Sequence, residues 1–439
     1  MTKKITQQTS NGIEYTFLNL PNSGVFKYEI VQKVGSNIER VIDKIDLSIN
    51  KSIYGISHLV EHLSFKRGIH FSTSEITSML KKYGVYNAST DFDRVNYYYQ
   101  GTMSDVSTIV NLLNNIAFND LTQIPEEEFS LERDVVFNEA KLYYDDDHSK
   151  FSFDETTHIF DLHINDNVLG SLETIKGIEL DDCIKIKSIM NLKENQSINI
   201  VFDGNLVTPT ELIEIIEDDI LHFNLENDSE NVLTHYKSSF PSLSLGERTL
   251  DTEAEQTLYS STFELDENRT LVNKTLNFLN NFSQYSLTEE VREKRGLTYH
   301  IGSGSFRIGL KDYYTIHCNI SQGNEITLEE AIDISIDKTL EELTNYNFIE
   351  FMKSSAIKRK LSLLNLNSYS SLLWDINENK LLKEKYGSSF AIDIDKTLND
   401  IDSDIKVEDL QRILLKIKEQ FKNKTIAKSW GKNNNDLSA

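Results

Sequence analysis

At 439 residues, with 39% hydrophobic and 26% charged side chains, the chain has the size for two or three domains and the composition of a globular protein, which excludes a disordered one. A formal charge of -24 would repel a phosphate backbone, so no nucleic-acid partner is expected. No apolar run reaches the length of about 18 residues that a membrane span needs, and MTKKITQQTSNG has no apolar segment behind its lysines, so neither a membrane anchor nor a secretory signal is expected.

Residues 12–34 read as two strands joined by a turn at Leu20-Pro21-Asn22-Ser23-Gly24, with Phe26, Tyr28 and Ile30 alternating as a half-buried strand does. A polar stretch from Asn37 to Lys51 leads into Gly55-Ile-Ser-His58-Leu-Val-Glu61-His62. A second helix is expected from an N-cap near Ser74 to a stop at Gly84. Two β-rich segments follow, Val85–Thr90 and Val95–Tyr99. Apolar residues at Val106, Ile109, Val110, Leu113 and Ile116 predict a helix, and Pro125 opens another that runs past Glu139. A strand at Ile198–Phe202, a turn at Asp203-Gly204-Asn205 and a helix bearing Leu212 and Ile216 close the first half. Residues 1–225 are therefore expected to form one domain. The polar stretch 226–251, with Pro241 and Gly246, is expected to be a linker, and 252–439 a second, similar domain. In that half, helices are expected over 267–282 and around Ile332–Leu343, with strands near 299–306 and 313–320. Mostly helix is expected from Phe348 onward, with a frayed tail from Lys424. Cys183 and Cys318 lack a CxxC spacing and are expected to be buried thiols in a reducing, cytoplasmic setting.

His58 and His62 lie four residues apart. On a helix this puts both imidazoles on one face, about 6 Å apart along the axis, where they can share a metal. Glu61 leans over the same face, giving the order H-x-x-E-H. A catalytic zinc takes three protein ligands and keeps a fourth position open, so a carboxylate from another element is required. Glu132 and Glu139, two helical turns apart, both point the same way. One could bind the metal while the other orients a ligating histidine.

The His58–His62 helix, followed by a Glu 77 residues beyond the second His, resembles the pitrilysin/insulinase family of zinc peptidases. The closer resemblance is to its half-size branch, which contains the mitochondrial processing peptidase and its bacterial relatives. That likeness implies an α+β fold of two similar domains, each a mostly antiparallel sheet packed against helices, forming half of a clamp-like chamber. It implies one zinc per chain on His58, His62 and Glu139, Glu61 as general base and Glu132 as supporting acid. Asn87-Ala88-Ser89-Thr90 resembles the family's edge strand, on which a peptide is laid as an added strand. Arg292 and Tyr299, in Val291-Arg292-Glu-Lys-Arg-Gly296-Leu297-Thr-Tyr299, resemble the family's substrate-binding pair. Hydrolysis of unstructured peptides or leader segments is the implied activity. A homodimer is the implied assembly, with a heterodimer with a related subunit as the variant. A non-catalytic peptide-binding or scaffolding subunit of the same fold is the competing class. Such subunits usually lose part of the metal set, which this chain keeps whole. Two departures stand out: the segment from Ser36 to His58 is longer than the family's, implying an enlarged loop, and LSFKRGIHFS after His62 replaces its usual Gly-Thr.

Overall fold

The computed structural model describes residues 3–42, 53–146, 149–152, 155, 159–160, 162, 167–223, 225–228, 232–238, 240–244, 246–251, 256–308, 311–362, 372–373, 391–393, 404–421 and 425–430. The chain divides into two compact units. The first comprises Met1–Lys141, Asn165–Phe240 and Leu363–Asn399; the second comprises Leu142–Ile164, Pro241–Ser362 and Asp400–Ala439. Each unit therefore takes segments from both halves of the sequence, whereas hydropathy and composition suggest a single cut at 226–251. That stretch contains a helix, Val232–Ser238, and a strand, Gly246–Asp251. Val232, Leu233 and Tyr236 of the helix are buried, and burial of such side chains is what orders a segment of otherwise polar composition.

The first unit is built on a seven-stranded sheet in the order β11-β1-β2-β6-β3-β5-β4. Its strands are β1 (Lys4–Ser10), β2 (Ile13–Asn19), β3 (Val25–Gln32), β4 (Val85–Thr90), β5 (Val95–Thr102), β6 (Gln196–Phe202) and β11 (Ala391–Asp393). All neighbours are antiparallel except β2 and β6, which run parallel. The turn at residues 20–24 does join two strands, but β6 lies between them. Asn22 and Gly24 both hold left-handed backbone in this wide connection. Strand β1 carries only Ile5 as a fully buried apolar side chain, which is why alternation does not reveal it.

Four helices of this unit matter for the site: α1 (Ile56–Ser64), α2 (Thr73–Tyr83), α3 (Val106–Ala117) and α4 (Glu126–Asp145). Helix α2 is capped by Ser72 rather than Ser74, because Ser72 and Glu75 form a reciprocal capping box. Helix α3 packs beneath the sheet, where buried Tyr28 donates 2.7 Å to Asn114 Oδ1. The loop expected to be enlarged lies mostly outside the described residues, at 43–52.

The second unit holds a five-stranded sheet, β7-β12-β8-β10-β9. It comprises β7 (Gly246–Asp251), β8 (Thr257–Glu264), β9 (Ile301–Ile308), β10 (Lys311–Ile320) and β12 (Thr425–Trp430). Strand β12 corrects the expectation of a frayed tail from Lys424 over Thr425–Trp430, which pair with both β7 and β8; Lys424 and residues 431–439 lie outside the described residues. Helices Arg269–Asn281, Glu325–Glu342 and Val407–Phe421 bury Phe278, Leu279, Ile332 and Leu414 against Ile316 and Tyr314 of the sheet. Both sheets are mostly antiparallel and covered by helices, the α+β architecture read from the sequence. Cys183 and Cys318 are buried free thiols.

Candidate metal centre

Helix α1 is short but fixed from several sides. Ile56, Leu59, Val60 and Leu63 are fully buried, and each such burial is worth about 1.5–3 kcal/mol. Its N-terminus is held from outside the helix. Glu39 accepts from the backbone N–H of Gly55 at 2.8 Å and of Ser57 at 2.9 Å, satisfying two donors that a helix start leaves open. Gly55 has φ 92, and a Cβ there would lie 2.3 Å from the Leu169 carbonyl oxygen, so only glycine fits.

On this helix the rings of His58 and His62 are 4.8 Å apart and nearly perpendicular. Helix α4 brings Glu139 to them: its Oε2 lies 3.3 Å from His62 Nε2 and 3.9 Å from His58 Nε2. One ligand atom from each of the three residues falls within 4.8 Å of the others, the one such group of three or more among the described residues. Two turns earlier on α4, Glu132 Oε1 is 2.9 Å from His62 Nδ1, and its other oxygen is 2.5 Å from Lys66 Nζ. A proton on Nδ1 shared with Glu132 leaves the Nε2 lone pair of His62 facing Glu139, the orientation a ligand needs.

The set fits zinc on chemical grounds. Two imidazole nitrogens and one carboxylate oxygen converge, and three protein ligands leave one position for water. Burial, then the charge of His62, lowers His58 to about 4, so this ring is a neutral donor at physiological pH. Its buried Nδ1 has no hydrogen-bond partner among the described residues. Burial works against a charge on His62 too, but bonds to Glu132 and Glu139 outweigh it and push it up to about 9. That same negative field favours a divalent cation in place of the proton. Hydrogen bonding from His62 holds Glu139 below the usual carboxylate range; Glu132 is also held low, its burial overcome by His62 and Lys66.

Glu61 is buried on the same helix, and Thr90 of β4 donates to its Oε2 at 2.7 Å. Burial raises its carboxyl above the usual range. Among the described residues, strand β4 pairs with β5 alone and ends the sheet, so its other edge carries backbone groups that no described strand pairs. Asn87 is exposed on it and Ala88 half-buried.

Arg292 and Tyr299 lie in the second unit. Arg292 sits in a π-helical turn, Thr288–Glu293, whose buried Glu290 binds Lys294 at 2.5 Å and Arg295 at 2.6 Å. The Arg292 guanidinium carbon stands 5.1 Å from the Tyr299 ring centroid, and Tyr299 is 87% exposed. The two residues thus meet each other and face solvent.

Three contributors to the site were not picked out from the sequence. Glu39 sits sixteen residues before the helix it caps, with no local signal. Lys66 falls in the LSFKRG segment that departs from the family pattern, and its position four residues after His62 is the available clue. Lys187 lies fully buried beneath the end of α1. Its ammonium is 2.7 Å from the Ala117 carbonyl, 3.1 Å from Ser64 Oγ, 3.3 Å from Gln32 Oε1 and 3.4 Å from Tyr97 OH.

Comparison with known proteins places this geometry in context. The model of the insulinase family (peptidase family M16) matches residues 46–158, which include His58, Glu61, His62, Glu132 and Glu139. The zinc protease PqqE of Helicobacter pylori is 28% identical over 200 residues, 44% of this chain and 42% of that protein's length. In fold, the chain is similar to a protease from Helicobacter pylori (TM-score 0.77, 19% identity, 98% of this chain and 100% of that one). It is also similar to a peptidase M16 inactive domain from Pseudomonas fluorescens (TM-score 0.71, 12% identity, 98% of each chain). Residues 46–158, which carry the motif, are thus similar to the insulinase family, and the chain as a whole is similar in fold to these two structures.

Proposed function

We propose that the chain is a zinc-dependent endopeptidase that cleaves unstructured peptides or leader segments. The observation that carries this reading is the convergence of His58, His62 and Glu139 within 4.8 Å beside a buried Glu61. Zinc held there would supply Lewis acidity, activating water near neutral pH and polarising the scissile carbonyl.

The protein's own groups do the rest. Glu61, anchored through one oxygen by Thr90, accepts a proton from the attacking water and returns it to the leaving amine. Its raised pKa, caused by burial, suits a group that must both take and give a proton. Glu132, bonded to His62 Nδ1, orients that ring, and Lys66 keeps Glu132 ionised. The open edge of β4 near Asn87 and Ala88 binds substrate backbone as an added strand, a mode that needs an extended peptide and tolerates many sequences. Arg292 and Tyr299 present five N–H donors and a hydroxyl to substrate carbonyls. We further propose that two copies assemble and that each site is completed by the Arg292 and Tyr299 of the other.

The test is incubation with mixed peptides, read by mass spectrometry. The wild type is expected to cleave and to lose cleavage with chelator. Glu61→Gln is expected to lose at least about a hundredfold in rate while keeping its zinc; near wild-type turnover by that variant would sink the assignment. A second reading, a peptide-binding subunit that does not hydrolyse, is favoured by the likeness in fold to an inactive domain. Retained zinc with no cleavage of any peptide would select it.

A further inference from the structure

A pair of histidines in the second unit, outside the site described above, converges on a vacant point of the β9–β10 ladder. The antiparallel register sets His317 opposite Gly302 and Thr315 opposite Gly304. Ile301, Ile316 and Cys318 of the same two strands are buried in the core of the unit, so by strand alternation His317, Thr315 and both glycines lie on the other face. A Cβ built on Gly302 would meet His317 Nε2 at 2.8 Å and His300 Nε2 at 3.2 Å. Two ring nitrogens therefore occupy the space that a side chain at 302 would fill.

Both rings are available. Both residues are exposed, and among the described residues no hydrogen bond or ion pair engages either imidazole. His300 is held through its backbone instead: its N–H donates to Thr298 Oγ1 at 3.2 Å, and that hydroxyl donates to the His300 carbonyl at 2.9 Å. On the far side of His317, Ser260 is spoken for by Thr315 at 2.8 Å. Partial desolvation, then the neighbouring His300, lowers the pKa of His317, so its ring is a free-base donor at physiological pH.

We propose that His300 and His317 form a two-imidazole site for a borderline divalent cation of the Cu²⁺, Ni²⁺ or Zn²⁺ class. Neutral imidazole suits these ions and not Mg²⁺ or Ca²⁺, which take oxygen ligands. Metal–nitrogen bonds of about 2.0–2.1 Å are reached by small rotations of two exposed rings. The remaining coordination positions fall to solvent, since no carboxylate completes a group of three there among the described residues. A bound cation would tie His300, and with it the adjacent Tyr299, to the β10 strand. This site stands whether or not His58, His62 and Glu139 hold a metal.

The experiment uses the full chain titrated with Cu²⁺, read by electron paramagnetic resonance and by the shift in thermal midpoint. The wild type is expected to show a copper signal with nitrogen couplings that His317→Ala and His300→Ala each weaken by about tenfold or more in affinity. His62→Ala is expected to retain that signal, which separates this site from the α1 centre. Gly302→Val, whose side chain takes the space of the rings, is expected to behave like His317→Ala. Copper binding unchanged in both His317→Ala and His300→Ala, or abolished by His62→Ala alone, overturns the proposal.

Discussion

His58 and His62 share one helix, yet their surroundings drive them in opposite directions: burial takes His58 down to about 4, and two glutamates take His62 up to about 9. A fully buried lysine shows the same competition more simply. Burial pushes Lys187 from 10.5 down to about 7, although the field of Glu61 favours its charge. In the unfolded chain this lysine keeps its proton up to 10.5, so between about 7 and 10.5 the unfolded state binds more protons and stability rises with pH. Other groups titrate in that window, His62 in the opposite sense, so the measurement is a difference. The stability of the wild type minus that of Lys187→Met is expected to climb with pH at up to about 1.4 kcal/mol per unit across the window. Denaturant unfolding at several pH values reads it, and a flat difference would show that Lys187 keeps an ordinary pKa.

At the scale of elements, the site depends on how α1 is anchored. Its recognition residues are local, but its cap comes from Glu39 on the Ser36–Arg40 turn, and its first residue is packed against the Leu169 carbonyl. Glu39→Ala leaves the Gly55 and Ser57 N–H groups buried without acceptors. A loss of about 1–3 kcal/mol is expected in denaturant unfolding, together with weaker zinc retention during dialysis. Unchanged stability would mean that the helix start is satisfied without Glu39. The helices themselves were legible because apolar spacing is a local property; the N-cap of α2 was misplaced by two residues because three of the four residues Ser72–Glu75 can accept from a helix start. The linker was misread for a related reason: Val232, Leu233 and Tyr236 are spaced as a short helix, but nothing local says what covers them.

For the whole molecule, the sequence alternates strands and helices in both halves, and both units carry a mostly antiparallel sheet, with one parallel pair in each. If two copies complete one another's sites, two inactive variants restore activity when mixed. Glu61→Gln and Arg292→Ala/Tyr299→Phe are each expected to be inactive as purified. Co-refolded in equal amounts they form mixed dimers with one intact site, recovering about a quarter of wild-type turnover by random pairing. No recovery, with a solution mass equal to one chain, would contradict the assembly.

The sequence alone determined the H-x-x-E-H face, the family likeness and the identity of most elements, because a four-residue helical spacing and a period of apolar residues need no partner to be read. Tertiary structure decided what distance along the chain conceals. Helical spacing left Glu132 and Glu139 equivalent and the family likeness pointed to Glu139; the folded chain brings Glu139 to both imidazoles and Glu132 to His62 Nδ1. It inserted β6 between β2 and β3, built each unit from segments of both halves, and made a paired strand of Thr425–Trp430. Strand order and capping from afar are settled by which surfaces bury each other, and that free energy belongs to the folded chain rather than to any single stretch of it.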